Sequence, residues 1–461
     1  MSEAAATFCP VERRRFVLIA AILASAMGFI DGSVVSVAIP DIRANLSASL
    51  TEVQWINNAY MLTLSAFILV GGAAGDRFGT VRVFQFGVAL FVVASVLCAL
   101  APTTETLIAA RALKGFGAAI MVPGSLAIIS KSYPPAERGA AIGTWASASA
   151  ITTALGPVLG GTLLSFGDES AWRLIFAINL PIGALVLWML IFKVPNDSPH
   201  SDAPPDFAGA AMITLSLGLL AWALSGGPLW AAPLGLIALV VFLAVEGRQT
   251  HPMMPLALWR TPGFAAANAL TFFLYFALSS ALFFLPMTLV TGWGLTELET
   301  VIAFLPLTIF IGLLSPRMGA LADRLGPRPL LTLGTFTVAV AYAAMATGLP
   351  FQNFWLGIVG ALSLAAFGMA MVVAPLSAAV MGSVGEDDSG AASGINNAMS
   401  RVAGLLAVAA MGPVAAWAAG GDFGGDTATA ANMNAGLAAV LYVAAALSLL
   451  SSVIAWFGLR R

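Results

Sequence analysis

Three ionisable residues stand inside apolar stretches of the 461-residue sequence, where a charged side chain is costly unless it has a use. Asp31 lies within an apolar run from Phe16 to Ile39, and Arg111 and Lys114 lie three residues apart in a later run. A carboxylate at that depth must be paired, protonated or exposed to a water-filled cavity, and each condition changes its affinity for protons. The pattern therefore favours reversible proton binding by Asp31. The alternative is a fixed ion pair that only holds helices together.

Arg111 is the expected partner of Asp31. Counted from the same side of a membrane, Asp31 is about 8 residues and Arg111 about 5 residues inside its segment, so their depths differ by about 5 Å, one helical turn. Lys114 is expected on the same helix face as Arg111, because residues three apart are neighbours on a helix. It is a second relay cation, a substrate contact or a structural residue.

The overall composition sets the class of protein. Hydrophobic residues make up 59% of the chain and charged residues 9%, against about 25% in ordinary soluble proteins, and the mean hydropathy is +0.94. So much apolar surface predicts an all-α protein that crosses a membrane many times. A net charge of −2 without a basic tract excludes nucleic-acid binding. Cys9, Cys98, His200 and His251 form no metal or disulfide pattern, so neither a metal site nor a cofactor is expected.

Hydrophobic segments recur along the whole chain, and fourteen of them are predicted to be transmembrane helices, which need about 20 residues each. They cover residues 16–39, 53–73, 83–101, 106–130, 139–165, 171–192, 207–227, 230–246, 265–290, 300–320, 329–348, 353–381, 390–418 and 435–458. The longest polar connections are too short for a separate soluble domain, so any function must lie among the helices.

Basic residues are distributed unevenly between the two sides of the membrane. Sixteen of the twenty Lys and Arg residues, Arg401 among them, are assigned to alternate connections and the termini, whereas the opposite connections hold only Arg43 and Arg173. Because basic residues accumulate on the cytoplasmic side, both termini are predicted to be cytoplasmic. The short connections, and a first apolar run that is too long for a signal sequence, favour a bacterial inner membrane.

A repeat relates the two parts of the chain. Residues 72–79 match residues 319–326, with an offset of 247 positions between Asp76 and Asp323, and a second pair of short matches has an offset of 251. A near-constant offset indicates two parallel halves of six helices. The predicted organisation is a cytoplasmic N-terminus at 1–15, a first half at 16–193, a linker with two extra transmembrane helices at 194–264, and a second half at 265–461.

Five motifs follow in order on the predicted helices. They are Ile30–Pro40, Gln54–Tyr60, Gly72–Arg82, Arg111–Ala119 and Gly156–Gly161, supported by Trp172–Arg173 and Asn179–Pro181. In these motifs the chain resembles the fourteen-span drug:proton antiporters of the major facilitator superfamily, which are multidrug efflux transporters. Thr80, Val81, Lys114 and Thr152 depart from the family pattern, Lys114 standing where Gln is usual.

The resemblance implies a function and roles for residues. It implies proton-coupled efflux of small amphipathic compounds by alternating access, with Asp31 as protonation site and Arg111 and Lys114 beside it. A small-molecule substrate, protons and the lipid bilayer would be the only partners of a functional monomer. The resemblance also assigns conformational gating to residues in and next to the repeated turns. These residues are Gly72, Asp76, Arg77, Gly79, Arg82, Asp323, Arg324, Gly326 and Arg328. The exporter motif comprises Gly156, Pro157, Gly160 and Gly161.

Polar and aromatic residues in otherwise apolar segments are candidates for the substrate cavity, with burial at a helix–helix contact as the alternative for each. They are Asn57, Asn58, Trp145, Ser149, Asn268, Tyr275, Asn396 and Asn397. Two other functions stay open: a facilitator or importer of a metabolite on the same fold, and a polytopic membrane enzyme. The exporter motif argues against the first, and the second lacks a catalytic constellation. The sequence also contains no ATP-binding loop.

Overall fold

The computed structural model of the protein describes residues 8–165, 170–198, 206–250, 252–385, 389–421, 423–424 and 428–459. Within those ranges it describes no side chain for a further set of residues, mostly in the fifth helix, and Ser149, Pro157 and Glu297 belong to this set. His200, His251 and Glu386 also lie outside the described residues.

All regular secondary structure in the described residues is helical. The α-helices are α1 (Val11–Leu46), α2 (Leu50–Phe78), α3 (Thr80–Ala99), α4 (Thr104–Ser132), α5 (Pro135–Leu164), α6 (Leu174–Ala177), α7 (Asn179–Phe192), α8 (Phe207–Leu224), α9 (Ala231–Glu246), α10 (Pro262–Met287), α11 (Glu297–Leu325), α12 (Pro327–Gly348), α13 (Ala361–Gly382), α14 (Ser389–Ala418) and α15 (Ala430–Gly458). Short 3₁₀ and π segments extend several of them, and α6 and α7 join into one apolar stretch, Ala171–Phe192.

Twelve of these helical stretches are long and apolar enough to cross a membrane, counted over the described residues. The chain is therefore a multi-pass membrane protein. The two remaining segments of the fourteen expected ones are α5, most of whose side chains are not described, and α9, which is apolar but has only 16 residues. The structure thus supports the all-helical fold and twelve spans.

Local sequence signals explain where several helices begin and end. Ser49 and Glu52 form a reciprocal capping box at the start of α2, and Thr296 and Glu299 form one at the start of α11. Both helices end at a glycine with positive φ, Gly79 at 95° and Gly326 at 79°, a backbone conformation that glycine adopts without strain. The two turns of the sequence repeat therefore share their backbone geometry.

The packing of α1–α7 is repeated by α10–α15. In the first set α1 packs on α5, α2 on α4, and α3 on α4 and α7; in the second, α10 packs on α14, α11 on α13, and α12 on α13 and α15. The two sets meet where α2 contacts α14 and α5 contacts α11, which are equivalent pairs under the repeat. The remaining pair, α8 and α9, pack on each other, and α8 lies against α2 and α14.

The helices run alternately between two ends of the bundle. We call the end that holds Phe78, Thr80 and Ser132 the near end, and the end that holds Leu46 and Leu50 the far end. The largest buried apolar cluster joins both helix sets and includes residues from the far part of α1 together with residues of α10, α11, α14 and α15. The two sets are therefore closely packed towards the far end.

Arg401 is not in a connection, as its assignment to the cytoplasmic side required. It is the thirteenth residue of α14, with Asn396, Asn397 and Ser400 before it and Val402, Ala403 and Leu405 after it. The prediction was wrong because a count of basic residues by sequence position does not distinguish a helix end from a helix interior.

Candidate functional site

Asp31 of α1 receives both of the cations predicted near it. Arg111 Nη1 donates to Asp31 Oδ2 at 2.5 Å, and Lys114 Nζ donates to Asp31 Oδ1. All three side chains are completely buried. Each carboxylate oxygen thus has its own cationic donor, which is an arrangement suited to an ionised carboxylate in a low-dielectric interior.

An aromatic shell surrounds the two cations. The Arg111 guanidinium lies 4.2 Å from the ring centroid of Tyr60, and Lys114 Nζ lies 4.7 Å from the ring centroids of both Phe91 and Phe176. Such contacts stabilise a desolvated cation through the negative face of the ring. With one carboxylate and two cations the cluster has a formal charge of +1, and the rings partly offset the excess positive charge.

Small residues let the helices approach closely around this cluster. A Cβ atom on Gly115 would overlap Thr63 Oγ1 and the Tyr60 carbonyl oxygen, and a Cβ atom on Gly160 would overlap a methyl group of Val34. Thr63 Oγ1 also donates to the Ala112 carbonyl at 2.8 Å. Gly115 therefore sets the distance from α4 to α2, and Gly160 sets the distance from α5 to α1 one turn from Asp31. Of the other exporter-motif residues, Gly156 and Gly161 are buried.

A cavity of about 710 Å³ lies between the two helix sets in the near half of the bundle. It is bounded by α2, α4, α5 and α14 and by the connections next to α8 and α10. Its lining combines apolar and aromatic groups such as Phe29 and Trp145 with a few polar ones such as Asn397. A volume of this size and such a lining suit a drug-sized ligand. Asp31, Arg111 and Lys114 do not line it.

Two of the eight cavity candidates, Trp145 and Asn397, line this cavity. Asn268 and Asn396 instead bond to each other between α10 and α14, with Nδ2 of Asn396 at 2.7 Å from Thr271 Oγ1 as well. Asn58 is completely buried, and neither of its amide atoms has a hydrogen-bond partner among the residues whose side chains are described. Asn57 and Tyr275 are half-buried and do not line the cavity, and the side chain of Ser149 is not described.

The first repeated turn is held by ionic contacts at the near end. Lys131 Nζ lies 3.1 Å from Asp76 Oδ1 and 2.7 Å from Thr80 Oγ1. Asp197, which sequence reasoning did not single out, accepts the backbone N–H groups of Thr80 at 3.0 Å and Val81 at 2.9 Å. The carboxylate of Asp197 thus caps the first N–H groups of α3, where the helix dipole favours negative charge.

The other gating residues are placed differently. Gly72 lines the cavity, Arg82 is exposed, and the Arg77 guanidinium lies 5.6 Å from the ring centroid of Phe78. In the second turn Asp323 and Arg324 are exposed, and Asp323 forms no ion pair with any residue that the structure describes.

The second turn has no counterpart of Lys131, because α13 ends in Met381-Gly382 without a basic residue. Arg328 stacks over Trp456 at 4.3 Å. The two copies of the turn therefore share a backbone but not their ionic contacts.

A pair of carboxyl groups joins the two ends of the α8–α9 hairpin. Asp206 caps α8 by accepting the Gly209 N–H at 2.8 Å, and Glu246 accepts the Met254 N–H at 2.8 Å. The other oxygens, Asp206 Oδ2 and Glu246 Oε1, are both buried and lie 2.2 and 2.9 Å from the position that a Cβ atom on Gly209 would take. Burial alone would raise the pKa of Asp206, but the hydrogen bonds from Glu246 and from Gly209 outweigh it and lower that pKa.

The far end is closed by contacts between the helix sets. Arg43 Nη1 donates to the backbone carbonyls of Phe423 at 3.1 Å and Gly424 at 2.5 Å. Gln54 of α2 donates to the Val408 carbonyl of α14. Access to the interior is therefore from the near end only, as far as the described residues define it.

Sequence reasoning missed Asp197, Arg43, Glu246 and the position of Arg401. The local sequence does not indicate that a charged residue in a connection is buried. Asp197, Arg43 and Glu246 also bind backbone groups, and most of these are distant in the chain. Gln54 lay in a recognised motif but was given no role.

Comparison with known proteins was made by sequence and by structure. A family model described as the Major Facilitator Superfamily matches residues 21–408. The chain is 32% identical over 414 residues to the multidrug resistance protein Stp of Mycobacterium tuberculosis, covering 87% of this chain and 76% of that protein. It is 33% identical over 410 residues to the methylenomycin A resistance protein of Streptomyces coelicolor, covering 85% of both.

Another relative is the tetracenomycin C resistance and export protein of Streptomyces glaucescens, 30% identical over 424 residues, with 88% of this chain and 77% of that protein covered. Among solved structures, a D-xylose–proton symporter superposes with a TM-score of 0.70 at 15% identity, covering 97% and 98% of the two chains. A bacterial homologue of the human lysosomal transporter Spinster, inward-facing and occupied, gives a TM-score of 0.71 at 17% identity, with 97% of each chain covered. These structures share the fold.

Proposed function

This chain belongs to the major facilitator superfamily and is a membrane transporter rather than an enzyme, and on that premise we propose that it exports small amphipathic compounds in exchange for protons. Its relatives include proteins named for multidrug and antibiotic resistance, which supports efflux. Transport proceeds by alternating access, and Asp31 is the residue that binds and releases the proton.

The observation that carries this proposal is the burial of Asp31 between two cations. Arg111 and Lys114 each hold one carboxylate oxygen, so a proton that enters displaces a cationic donor from that oxygen. Protonation thus breaks contacts between α1 and α4, and deprotonation restores them. A change in the charge of Asp31 is therefore coupled to helix packing, which is what an antiporter requires.

The conformation of the molecule, with its cavity in the near half and contacts that close the far end, fits the same proposal. We take the near end as cytoplasmic, because most basic residues of the chain lie there. The cavity is then on the cytoplasmic side and the Arg43 contacts close the opposite side, so the structure represents an inward-facing state that takes up substrate. In the outward-facing state Asp76 and Asp323 would hold the near end closed.

We also propose the finer architecture. Residues 16–193 and 265–461 form the two six-helix halves, and α8 and α9 in the linker are two inserted spans, which with α5 gives fourteen. The outer side of α9, where Leu236, Ile237 and Val240 are exposed, suits contact with lipid. The protein works as a monomer in the inner membrane of a bacterium, with both termini in the cytoplasm, and needs no cofactor because the proton gradient drives it.

The test is uptake of labelled compounds into everted membrane vesicles, in which export from the cell becomes accumulation in the lumen. The panel includes tetracenomycin C and methylenomycin A, the compounds named for two relatives. An acidic lumen should drive accumulation, and collapse of the pH gradient with nigericin should stop it. Loss of compound from preloaded vesicles under the same gradient would instead indicate an importer.

The variant Asp31→Asn should abolish this accumulation. Glu105→Gln removes the same charge from an exposed residue at the far end of α4 and should transport as the native chain does. Full pH-driven accumulation by Asp31→Asn at equal protein level would refute the role of Asp31, whereas loss of transport in both variants would show a general sensitivity to charge.

A further inference from the structure

Arg401 is a charged residue in the middle of the second half that has no ionic partner among the residues that the structure describes. It is the only charged residue in the sequence of α14 and is half-buried, and its buried Nε has no hydrogen-bond acceptor in the described part of the chain. No carboxylate oxygen among the described residues lies within 4.0 Å of its guanidinium. An unpaired arginine at this position in a membrane protein marks a functional site by default.

The depth of Arg401 follows from the packing of α14 against α2. These antiparallel helices are linked by Gln54 with Val408 towards the far end and by Leu69 with Gly394 towards the near end. Linear interpolation between these contacts puts Arg401 level with residues 61–62 of α2, close to the depth of the Asp31 cluster.

The helical periodicity of α14 places Arg401 above the cavity. Gly394 and Asn397 line the cavity, and Arg401 follows them by seven and four residues. Seven residues amount to almost two turns, so Arg401 lies about 20° around the helix from Gly394 and about 10 Å deeper. Arg401 is not among the lining residues, but this position puts it beyond the inner end of the cavity, on the face of α14 that the cavity uses.

The charges around the cavity are not balanced at that depth. Asp76 and Asp206 line the shallow part, but Asp76 is paired with Lys131 and Asp206 is engaged by Gly209 and Glu246. At that depth the described residues include one carboxylate, Asp31, and three cations, of which Arg111 and Lys114 bind Asp31 and Arg401 does not. The group that remains free to bind a ligand is therefore positive.

We propose that Arg401 binds a negatively charged group of the substrate, so that the protein takes amphipathic monoanions such as aromatic carboxylates. The planar guanidinium fork matches a carboxylate with two parallel hydrogen bonds, and the cavity below it accepts the apolar body of the ligand. This inference rests on the proposed function only for the statement that such compounds are transported. Binding itself requires no proton gradient.

The test compares three fluorescent probes that share one aromatic body: pyrenebutyric acid, its neutral amide pyrenebutyramide, and the cation pyrenebutylamine. Their dissociation constants are measured on the purified full-length protein in detergent at one pH, from energy transfer between the tryptophans, Trp145 in the cavity wall among them, and the pyrene. The native protein should bind the acid roughly tenfold or more tightly than the amide, and the amine most weakly.

Three variants assign that preference to Arg401. Arg401→Gln should weaken binding of the acid roughly tenfold and leave binding of the amide unchanged, and Arg401→Lys should keep part of the preference because the charge remains. Asn397→Asp places a carboxylate four residues before Arg401 and should also remove the preference, with the arginine still present. Arg317→Gln, at an exposed arginine of α11, removes a positive charge elsewhere and should bind all probes as the native protein does.

Equal affinity of the native protein for acid and amide would overturn the inference, and so would an unchanged preference in Arg401→Gln. If Arg401→Gln does not fold, an unchanged preference in Asn397→Asp overturns it instead. Selective binding of the acid by a protein that shows no proton-driven transport would contradict the proposed function and leave this inference standing. Proton-driven export by a protein that shows no preference for the acid would support the proposed function and overturn this inference.

Discussion

The side chain of Asp197 accepts the backbone N–H of Val81 at 2.9 Å, although 116 positions separate the two residues in the sequence. With the bond to the Thr80 N–H, it fixes the connection after α7 to the first turn of α3. Thr80 also accepts a hydrogen bond from Lys131, whose ammonium group holds Asp76. Asp197 is therefore a positioning residue of the turn that is proposed to close the near end.

Removal of this carboxylate should slow the transport cycle. Asp197→Ala leaves the N–H groups of Thr80 and Val81 without these acceptors, which destabilises a helix by about 1–2 kcal/mol, and removes a carboxylate that lies 3.9 Å from Lys131 Nζ. We expect a several-fold lower turnover in reconstituted vesicles with an unchanged dissociation constant for substrate. Ser198→Ala, at an exposed neighbour, is the control. A weaker dissociation constant with normal turnover would argue against a role in positioning the turn.

The Asp31 cluster predicts a specific pattern of thermal stability. Asp31→Asn leaves Arg111 and Lys114 buried without a counter-charge, and loss of one member of a buried ion pair costs about 3–5 kcal/mol. The double variant Asp31→Asn/Lys114→Gln returns the cluster to its native formal charge of +1 and should recover part of the melting temperature, measured by intrinsic fluorescence in detergent. Transport should be lost in both variants. Equal melting temperatures of the single and double variants would show that Lys114 is not charged in the folded protein.

The far-end closure should depend on Arg43. Arg43→Gln removes hydrogen bonds from a charged group to two carbonyls of the other half, worth about 1.5–3 kcal/mol each at most, and should shift molecules towards the outward-facing state. Spin labels at Ser47 and Ala431, both exposed, report the opening as longer distances in double electron–electron resonance.

A matched control for that experiment lies at the same end. Arg173 bonds to Asn45 and to the Ala101 carbonyl, all within the first half, so Arg173→Gln should leave the distance distribution unchanged. A shift of equal size in both variants would mean that loss of any far-end arginine loosens the bundle.

The Asp206–Glu246 pair predicts a dependence of stability on pH. The pKa of Asp206 is lower in the folded protein than in the unfolded chain, so its contribution is complete above the unfolded value of about 4 and falls as the pH drops below it. Asp206→Asn should lower the melting temperature at pH 7 and show a weaker loss between pH 5 and pH 3 than the native protein. Parallel melting curves against pH for the two proteins would contradict this account.

The positions of the helices were predictable because an apolar segment of about 20 residues or more has few possible structures other than a transmembrane helix. The structure extends most predicted segments by a few residues, for example from 53–73 to Leu50–Phe78, because polar capping residues continue the helix beyond the apolar part. The contact between Arg111 and Asp31 was also predictable, because the depth of a residue in the membrane follows from its distance in sequence from the end of its helix.

Contacts that need the lateral arrangement of the helices were not predictable. Asn396 was a cavity candidate but bonds to Asn268, because the face that a residue presents depends on which helix lies beside it. Asp197 lies in a polar connection and carries no sign of burial until α3 is placed next to it. Arg401 was assigned to one side of the membrane from the count of basic residues alone. Such a count does not consider that an arginine within a helix could bind a ligand.

The carbonyl groups that receive Arg43 have a consequence for how this protein varies among its relatives. Every residue at positions 423 and 424 provides a carbonyl, so substitutions there leave the acceptors of Arg43 in place as long as the backbone keeps its path. Correlated substitutions, which reveal contacts between side chains in sequence alignments, will therefore be absent from this closure. Gly424 itself should be retained, because its φ is 79° and a Cβ atom there would overlap Arg43 Nη1. We therefore expect an invariant arginine opposite a glycine that is kept for its backbone, and searches for coevolving pairs will overlook the contact that keeps the far end shut.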